Sequence, residues 1–170
     1  MRAATRLPIW RRARRVAIYR PADGEIDTTP LAREAQRTGK RLYLPVLNGA
    51  QLRFRQWRPR QAMAANRFGI PEPPSSAPEC PTRWLDLVIA PLVGFDDAGN
   101  RLGMGGGFYD QTFAFRLRHP RWRHPRLVGA AFAVQRVPQL PARSWDVALD
   151  AVITDKGPLR PRPKAEGDVA

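Results

Sequence analysis

Three uninterrupted apolar runs constrain this chain most: Leu87-Val88-Ile89-Ala90, residues 127–132 (LVGAAF) and Ala151-Val152-Ile153. A strand exposed on one face alternates apolar and polar side chains, whereas a strand covered on both faces does not. Runs like these therefore belong in the middle of a sheet with material packed on both sides. Residues 16–19 (VAIY) and 41–46 (RLYLPV) supply further strands. Between them Thr29-Pro30 opens a helix, with Thr29 as N-cap and proline at the first helical position. Leu31 and Ala35 give that helix its apolar side, and Gly39 closes it. Strands alternating with helices predict an α/β fold, a three-layer α/β/α domain with a mostly parallel sheet and its ligand site at the strand carboxyl ends.

The remaining segments fit around that sheet. Leu52, Phe54 and Gln56 face one way and Arg53, Arg55 and Trp57 the other, the pattern of a half-exposed strand. Residues 71–81 carry five prolines and are expected to be an ordered loop or a linker over the surface. With 170 residues the chain suits a single domain, drawn here as 1–156 with a basic segment at 1–15. Residues 157–170 (GPLRPRPKAEGDVA) show no apolar period and are expected to form a disordered tail. No run approaches the roughly 18 apolar residues of a membrane helix, and the arginine-rich start lacks the apolar centre of a secretory signal. The single cysteine, Cys80, fits a reducing, cytoplasmic setting.

The formal net charge is +14, and of 29 basic residues only Lys40, Lys156 and Lys164 are lysines, leaving 26 arginines. Such a bias reflects arginine-rich composition as readily as a polyanionic partner. The charge recurs in three separate stretches, at 11–15, 53–60 and 116–126. A solvated basic surface is the first reading, an anionic small molecule the second and nucleic acid the third. His119 and His124 are too few for a zinc site and are expected to be loop residues.

Chemistry concentrates between Asp86 and Asp110 (DLVIAPLVGFDDAGNRLGMGGGFYD). A buried strand leads into a turn (Asp96, Asp97, Gly99, Asn100), then Arg101, Leu102, Gly103, Met104, Gly105, Gly106 and Gly107, then a helix starting near Phe108 with Tyr109, Phe113 and Leu117 on one face. Glycines let backbone approach a ligand closely, and unpaired N–H groups at a helix start attract phosphate. Arg101 offers a bidentate partner. The alternative is a plain glycine turn, and neither G-x-x-x-x-G-K-[ST] nor G-x-G-x-x-G is present. Asp110 is an acidic first-turn residue on its own; with phosphate beside it, the two anions call for Mg²⁺ between them.

The segment RLGMGGGFYD resembles the R-L-G-x-G-x-G-[YF]-Y-D signature of the 5-formyltetrahydrofolate cyclo-ligase family. GEIDTTPL (24–31), GKRLYLPV (39–46), FGIPEP (68–73), DLVIAPLVGFD (86–96), AFAVQ (131–135) and WDVALDAVIT (145–154) continue the likeness in order. It covers residues 16–154. The resemblance implies ATP-dependent closure of 5-formyltetrahydrofolate to 5,10-methenyltetrahydrofolate with release of ADP and phosphate. It implies that Arg101 and Tyr109 are catalytic and that residues 101–109, Leu102 and Met104 among them, bind ATP. Arg20, Glu25, Phe68, Met104, Gly105, Gly106, Gly107 and Phe108 would bind the folate, with Glu25 on the pterin, and Asp110 and Asp146 would coordinate Mg²⁺. Without the resemblance Glu25 reads as a loop acid, Phe68 as a core residue and Asp146 as a solvated one.

The same likeness implies a cytoplasmic monomer acting on small molecules, with no specific nucleic acid and no membrane as partner. Two departures from the family pattern stand out. Where relatives carry a longer N-terminal helix with ATP-contacting Lys and Arg, only residues 1–15 precede the first strand, and Arg11, Arg12, Arg14 and Arg15 are the candidate substitutes. Arg20 stands where many relatives have an apolar residue. The family also contains members without cyclo-ligase activity, so a non-catalytic folate- or nucleotide-binding relative is the alternative reading, with a basic nucleic-acid-binding protein behind it.

Overall fold

The computed structural model describes residues 4–22, 24–66, 69–119, 122 and 124–161. After a 3-10 turn at Ala4–Arg6, the chain forms α1 (Pro8–Arg12), β1 (Arg15–Ala17), α2 (Thr29–Arg37), β2 (Arg41–Asn48) and β3 (Gln51–Trp57). A short strand β4 (Ala64–Ala65) precedes the proline-rich stretch, which is not all loop as expected but carries β5 (Pro71–Glu72) and β6 (Glu79–Cys80). Then come β7 (Leu87–Pro91), the hairpin β8 (Gly94–Phe95) and β9 (Arg101–Leu102), α3 (Phe108–Phe113) and α4 (Phe115–Arg118). The chain continues through β10 (Arg126–Ala131), a 3-10 turn at Ala133–Gln135, β11 (Ala151–Thr154) and β12 (Gly157–Leu159). No helix among the described residues is long and apolar enough to cross a membrane.

Eight strands form one sheet in the order β12-β11-β10-β7-β1-β2-β3-β6. The five strands from β11 to β2 run parallel, and β12, β3 and β6 add antiparallel edges. The apolar runs are covered on both faces. Val16, Leu42, Leu44, Leu87, Ile89, Val128, Ala130, Ala151 and Ile153 join one core with Trp10, Leu31, Ala32 and Ala35 from α1 and α2. Their neighbours Ala17, Tyr43, Val88, Leu127, Ala131 and Val152 join the other with Phe54, Phe95 and Phe113. The two-residue period of a strand thus splits each run between two cores, and the α/β expectation holds.

Three further expectations need adjustment. The helix α2 starts one residue early, and Thr28 rather than Thr29 stands at its N-cap. The Thr28 hydroxyl donates to the Tyr19 carbonyl at 2.8 Å instead of capping, while the Asp27 carboxylate accepts the Thr29 N–H at 2.8 Å. The single helix expected from Phe108 to Leu117 breaks at Ala114, so Phe115 packs near Phe113 at 6.2 Å and Leu117 stays exposed. The Thr112 hydroxyl there bonds back to the Phe108 carbonyl at 2.5 Å and also accepts the Leu52 N–H at 2.8 Å, contacts that tilt a helix at its end. Residues 157–159, assigned to the tail, form strand β12 instead, paired from Val152↔Leu159 to Thr154↔Gly157. Backbone pairing to the β11 edge needs no apolar pattern, which is why composition did not show it. Residues 162–170 lie outside the described part.

Asp86 ties the amino ends of β1 and β7. Its carboxylate accepts the N–H groups of Arg14 and Arg15, both at 2.8 Å, and pairs with the Arg15 guanidinium at 3.5 Å. Burial works to raise its pKa, but the backbone hydrogen bonds and the Arg15 charge outweigh burial and hold it below the ordinary aspartate value. A depressed folded pKa contributes stability above the unfolded value and loses it as pH falls through the folded one. Urea midpoints of the wild type are therefore expected to fall below about pH 4. Asp86→Ala should cost about 1–3 kcal/mol at neutral pH by leaving N–H groups unpaired, and it should flatten that acid dependence.

Candidate active site

The parallel crossovers leave β1 and β7 in opposite directions: β1 leads to β2 on one side, and β7 leads to β10 and then β11 on the other. Where crossovers diverge, the carboxyl ends of the two strands bracket a crevice, and ligands of such sheets bind there. The end of β1 delivers Tyr19, Arg20 and the loop with Glu25. The end of β7 delivers the β8–β9 hairpin, and the glycine loop follows it.

Asp96 holds the hairpin together. Its side chain is 3% exposed and accepts the Ala98 and Asn100 N–H groups on Oδ1, at 3.0 and 2.9 Å, and the Asn100 amide and Leu140 N–H on Oδ2, at 2.8 and 3.0 Å. Burial alone would raise its pKa; these four donors bring it below the usual aspartate value. The sequence showed Asp96 only as a turn residue, because long-range donors such as Leu140 leave no local signature.

The glycine loop itself is solvent-exposed from Leu102 to Gly107, with Met104 91% exposed at its tip. Gly105 has φ +92° and Gly107, at the N-cap of α3, has φ +59°, conformations that disfavour any side chain. A Cβ on Gly106 would stand 2.5 Å from the Phe108 ring. The loop thus keeps bare backbone facing solvent, which suits close approach by phosphate.

Arg101 and Asp110 close the loop at its base. The Arg101 guanidinium is 7% exposed; Nη2 donates to Asp110 Oδ1 at 2.7 Å and Nη1 to the Val147 carbonyl. Asp110 Oδ1 also accepts the Val147 N–H at 2.9 Å. The arginine expected to offer itself to phosphate is thus engaged internally, fastening α3 to the segment beside Asp146. Asp146 sits next to Val147 and its Oδ2 accepts the Arg143 N–H at 2.8 Å. For both aspartates these contacts fall on one oxygen of the two. Among the described residues no group of three or more His, Cys, Asp or Glu side chains could hold a metal. Two carboxylates fit a Mg²⁺ that arrives on phosphate oxygens better than a resident ion.

Tyr109 stacks on Phe113 with ring centres 6.3 Å apart. Burial pushes its phenol above the ordinary tyrosine value; the Arg101 charge opposes this and Glu25 adds to it. The Tyr19 phenol is raised by burial and by the charges of Glu25 and Tyr109, and its hydroxyl donates to the Ile26 carbonyl at 2.9 Å. Tyr109 thus feels the charges of Arg101 and Glu25, and Tyr19 those of Glu25 and Tyr109; Tyr19 was not foreseen, since it reads as part of a strand. Glu25 Oε2 accepts the Ala22 N–H at 2.9 Å, and Arg20 is exposed at the end of β1. Phe68 lies outside the described residues. Glu72, also unforeseen, docks the β4–β5 hairpin on β2 by accepting the Leu47 N–H at 3.0 Å and the Asn66 amide at 2.7 Å.

Two open concavities, of about 380 and 640 Å³, lie at the other end of the sheet, lined by Arg15, Trp84 and Asp86 and by Trp10, Glu34 and Lys40 respectively. The carboxyl-end loop remains the better site, because the divergent crossovers and the exposed backbone converge there.

Fold and loop together define an α/β domain with an exposed glycine loop at the sheet switch point. The profile of the 5-formyltetrahydrofolate cyclo-ligase family matches residues 1–155, and the chain belongs to that family. It is 42% identical over 161 residues to the 5-formyltetrahydrofolate cyclo-ligase of Escherichia coli K12, covering 89% of this chain and 85% of the relative. The Haemophilus influenzae cyclo-ligase is 41% identical over 145 residues, with 82% and 74% covered. The solution structure of Aquifex aeolicus 5,10-methenyltetrahydrofolate synthetase superimposes with a TM-score of 0.74 at 30% identity, covering 98% of this chain and 80% of that one.

The ion pair makes its own prediction. Asp110→Ala leaves the buried Arg101 charge unpaired and should destabilise the fold by about 3 kcal/mol, the low end for a buried pair. Asp146→Ala removes one exposed hydrogen bond and should cost no more than about 1 kcal/mol. Urea unfolding of the two variants measures the difference.

Proposed function

We propose that this chain closes 5-formyltetrahydrofolate to 5,10-methenyltetrahydrofolate with ATP and Mg²⁺, releasing ADP and phosphate. The observation that carries the reading is the exposed glycine loop at the switch point, with Asp110 fixed at its base, in a chain of this family. The γ-phosphoryl group of ATP passes to the formyl oxygen, N10 of the folate attacks the formyl carbon, and the carbon–oxygen bond breaks with loss of phosphate, which carries away the N10 proton. Phosphorylation turns a poor leaving group into a good one, so the protein's work is positioning and charge stabilisation.

Backbone N–H groups of residues 103–107 would meet the phosphates and the formyl group together. Asp110 and Asp146 would hold Mg²⁺, which neutralises phosphate charge. Arg101 acts through Asp110, holding its carboxylate in place. The Tyr109 phenol, protonated at neutral pH like any tyrosine, would donate to a developing anion. Glu25 and the exposed Arg20 would contact the folate from the β1 side, and Phe108 and Met104 would flank it from the loop. We take the enzyme to be a monomer in the cytoplasm, the compartment that suits the free, buried Cys80 thiol.

The test follows absorbance of the methenyl product after mixing protein, 5-formyltetrahydrofolate, ATP and Mg²⁺. The wild type should give an ATP-dependent rise. Gly105→Asp, which adds a side chain at φ +92° and a charge against phosphate, should reduce the rate by roughly 10²-fold or more. No rise with a folded wild type, together with intact ATP binding, would favour the non-catalytic relative.

A further inference from the structure

The hairpin that carries Arg101 and the glycine loop is anchored at its entry by a single side-chain amide. Gln135 lies in the 3-10 turn Ala133–Gln135, just beyond β10. Its Oε1 accepts the Phe132 N–H at 2.6 Å, and its Nε2 donates to the carbonyls of both Leu92 and Val93 at 3.0 Å. Leu92 and Val93 are where β7 leaves the sheet, so their carbonyls have run out of ladder partners. The next link is direct: the Val93 N–H donates to the Leu102 carbonyl at 2.8 Å, one residue before Gly103. The backbone supports the same junction. Phe95 bridges to Arg136, and the Val137 N–H donates to the Phe95 carbonyl at 2.9 Å. A Cβ on Gly94 would lie 3.6 Å from the Gln135 carbonyl, so the hairpin rests against this turn. The turn is itself fixed, since the Ala133 N–H donates to Asp155 Oδ1 at 2.6 Å.

We propose that Gln135 is a positioning residue for the reaction: its amide sets where the hairpin leaves the sheet and hence where the glycine loop presents its backbone to phosphate. The role rests on the functional reading above and adds a residue to it. The chemistry explains the residue type. One group must accept one hydrogen bond and donate two, in fixed directions, about one strand spacing away. A carboxylate of the same shape keeps the acceptor but sets negative charge against two carbonyls. A leucine of similar size keeps neither. Because the loop is exposed, little packing holds it otherwise, and a shift of about 1 Å at a phosphate-positioning loop is enough to lower rate about 10²-fold.

The experiment compares wild type with Gln135→Leu, Gln135→Glu and Arg136→Ala in the methenyl-absorbance assay, beside amide hydrogen exchange and a melting curve for each. Arg136 is in the neighbouring position and pairs with Asp97 on the exposed rim, so its variant controls for disturbance of the turn. Both Gln135 variants should lose at least tenfold in kcat with a raised KM for ATP, and exchange of the hydrogen-bonded hairpin amides in residues 93–101 should accelerate at least tenfold while exchange in β2 stays at the wild-type rate. Arg136→Ala should change neither. Wild-type kinetics in Gln135→Leu, or faster exchange without a kinetic change, would overturn the positioning role. If the wild type itself shows no turnover, the functional reading fails, while unchanged exchange in Gln135→Leu would overturn the anchoring of the loop on its own.

Discussion

Burial of the parallel strands on both faces is the constraint from which the rest of this structure follows. A strand such as β7, with Leu87 and Ile89 in one core and Val88 in the other, cannot border solvent without exposing apolar surface worth about 25 cal/mol per Å². Helical and hairpin crossovers must then cover both faces. Since β1 crosses to one side and β7 to the other, a crevice at their carboxyl ends is a topological consequence. Glycine-loop chemistry is sited by the same packing that stabilises the sheet.

The layers, the central strands and the loop were legible in the sequence because each rests on a local pattern. Continuous apolar runs, a Thr-Pro helix start and four glycines in five positions can all be read within a short window. What escaped depends on contacts between residues far apart in the chain. Asp96 looks like a turn residue until the Leu140 N–H reaches it, and Tyr19 looks like a strand residue until Tyr109 and Glu25 approach. The break at Ala114 escaped because Thr112 is held by Leu52 from another element. Strand β12 escaped because edge pairing uses backbone alone.

The abundant arginine proves less informative than its number suggests. Arg101 faces Asp110, Arg116 and Arg126 share Asp150, Arg15 faces Asp86, and Arg53 and Arg37 pair with Glu79 and Glu34. Among these, Arg101 and Arg116 are largely buried and orient carboxylates inside the molecule. Asp150 shows it well: with two guanidinium groups it also accepts the Leu127 N–H at 2.7 Å, joining the starts of β10 and β11. Exposed pairs such as Arg37–Glu34 contribute little to stability by comparison.

The glycine loop is fastened before Gly103 and after Gly107 and exposed between, where the Gln111 amide donates to the Gly106 carbonyl at 3.3 Å, and this has a kinetic side. A segment with fixed ends and a free middle can adapt to a ligand by backbone rotation at a few residues, without swinging one layer of the sheet past another. Motions of that size take nanoseconds to microseconds, against microseconds to milliseconds for domain closure. Rearrangement of the loop therefore need not unpack either core, and the rigid sheet and adaptable rim can evolve separately.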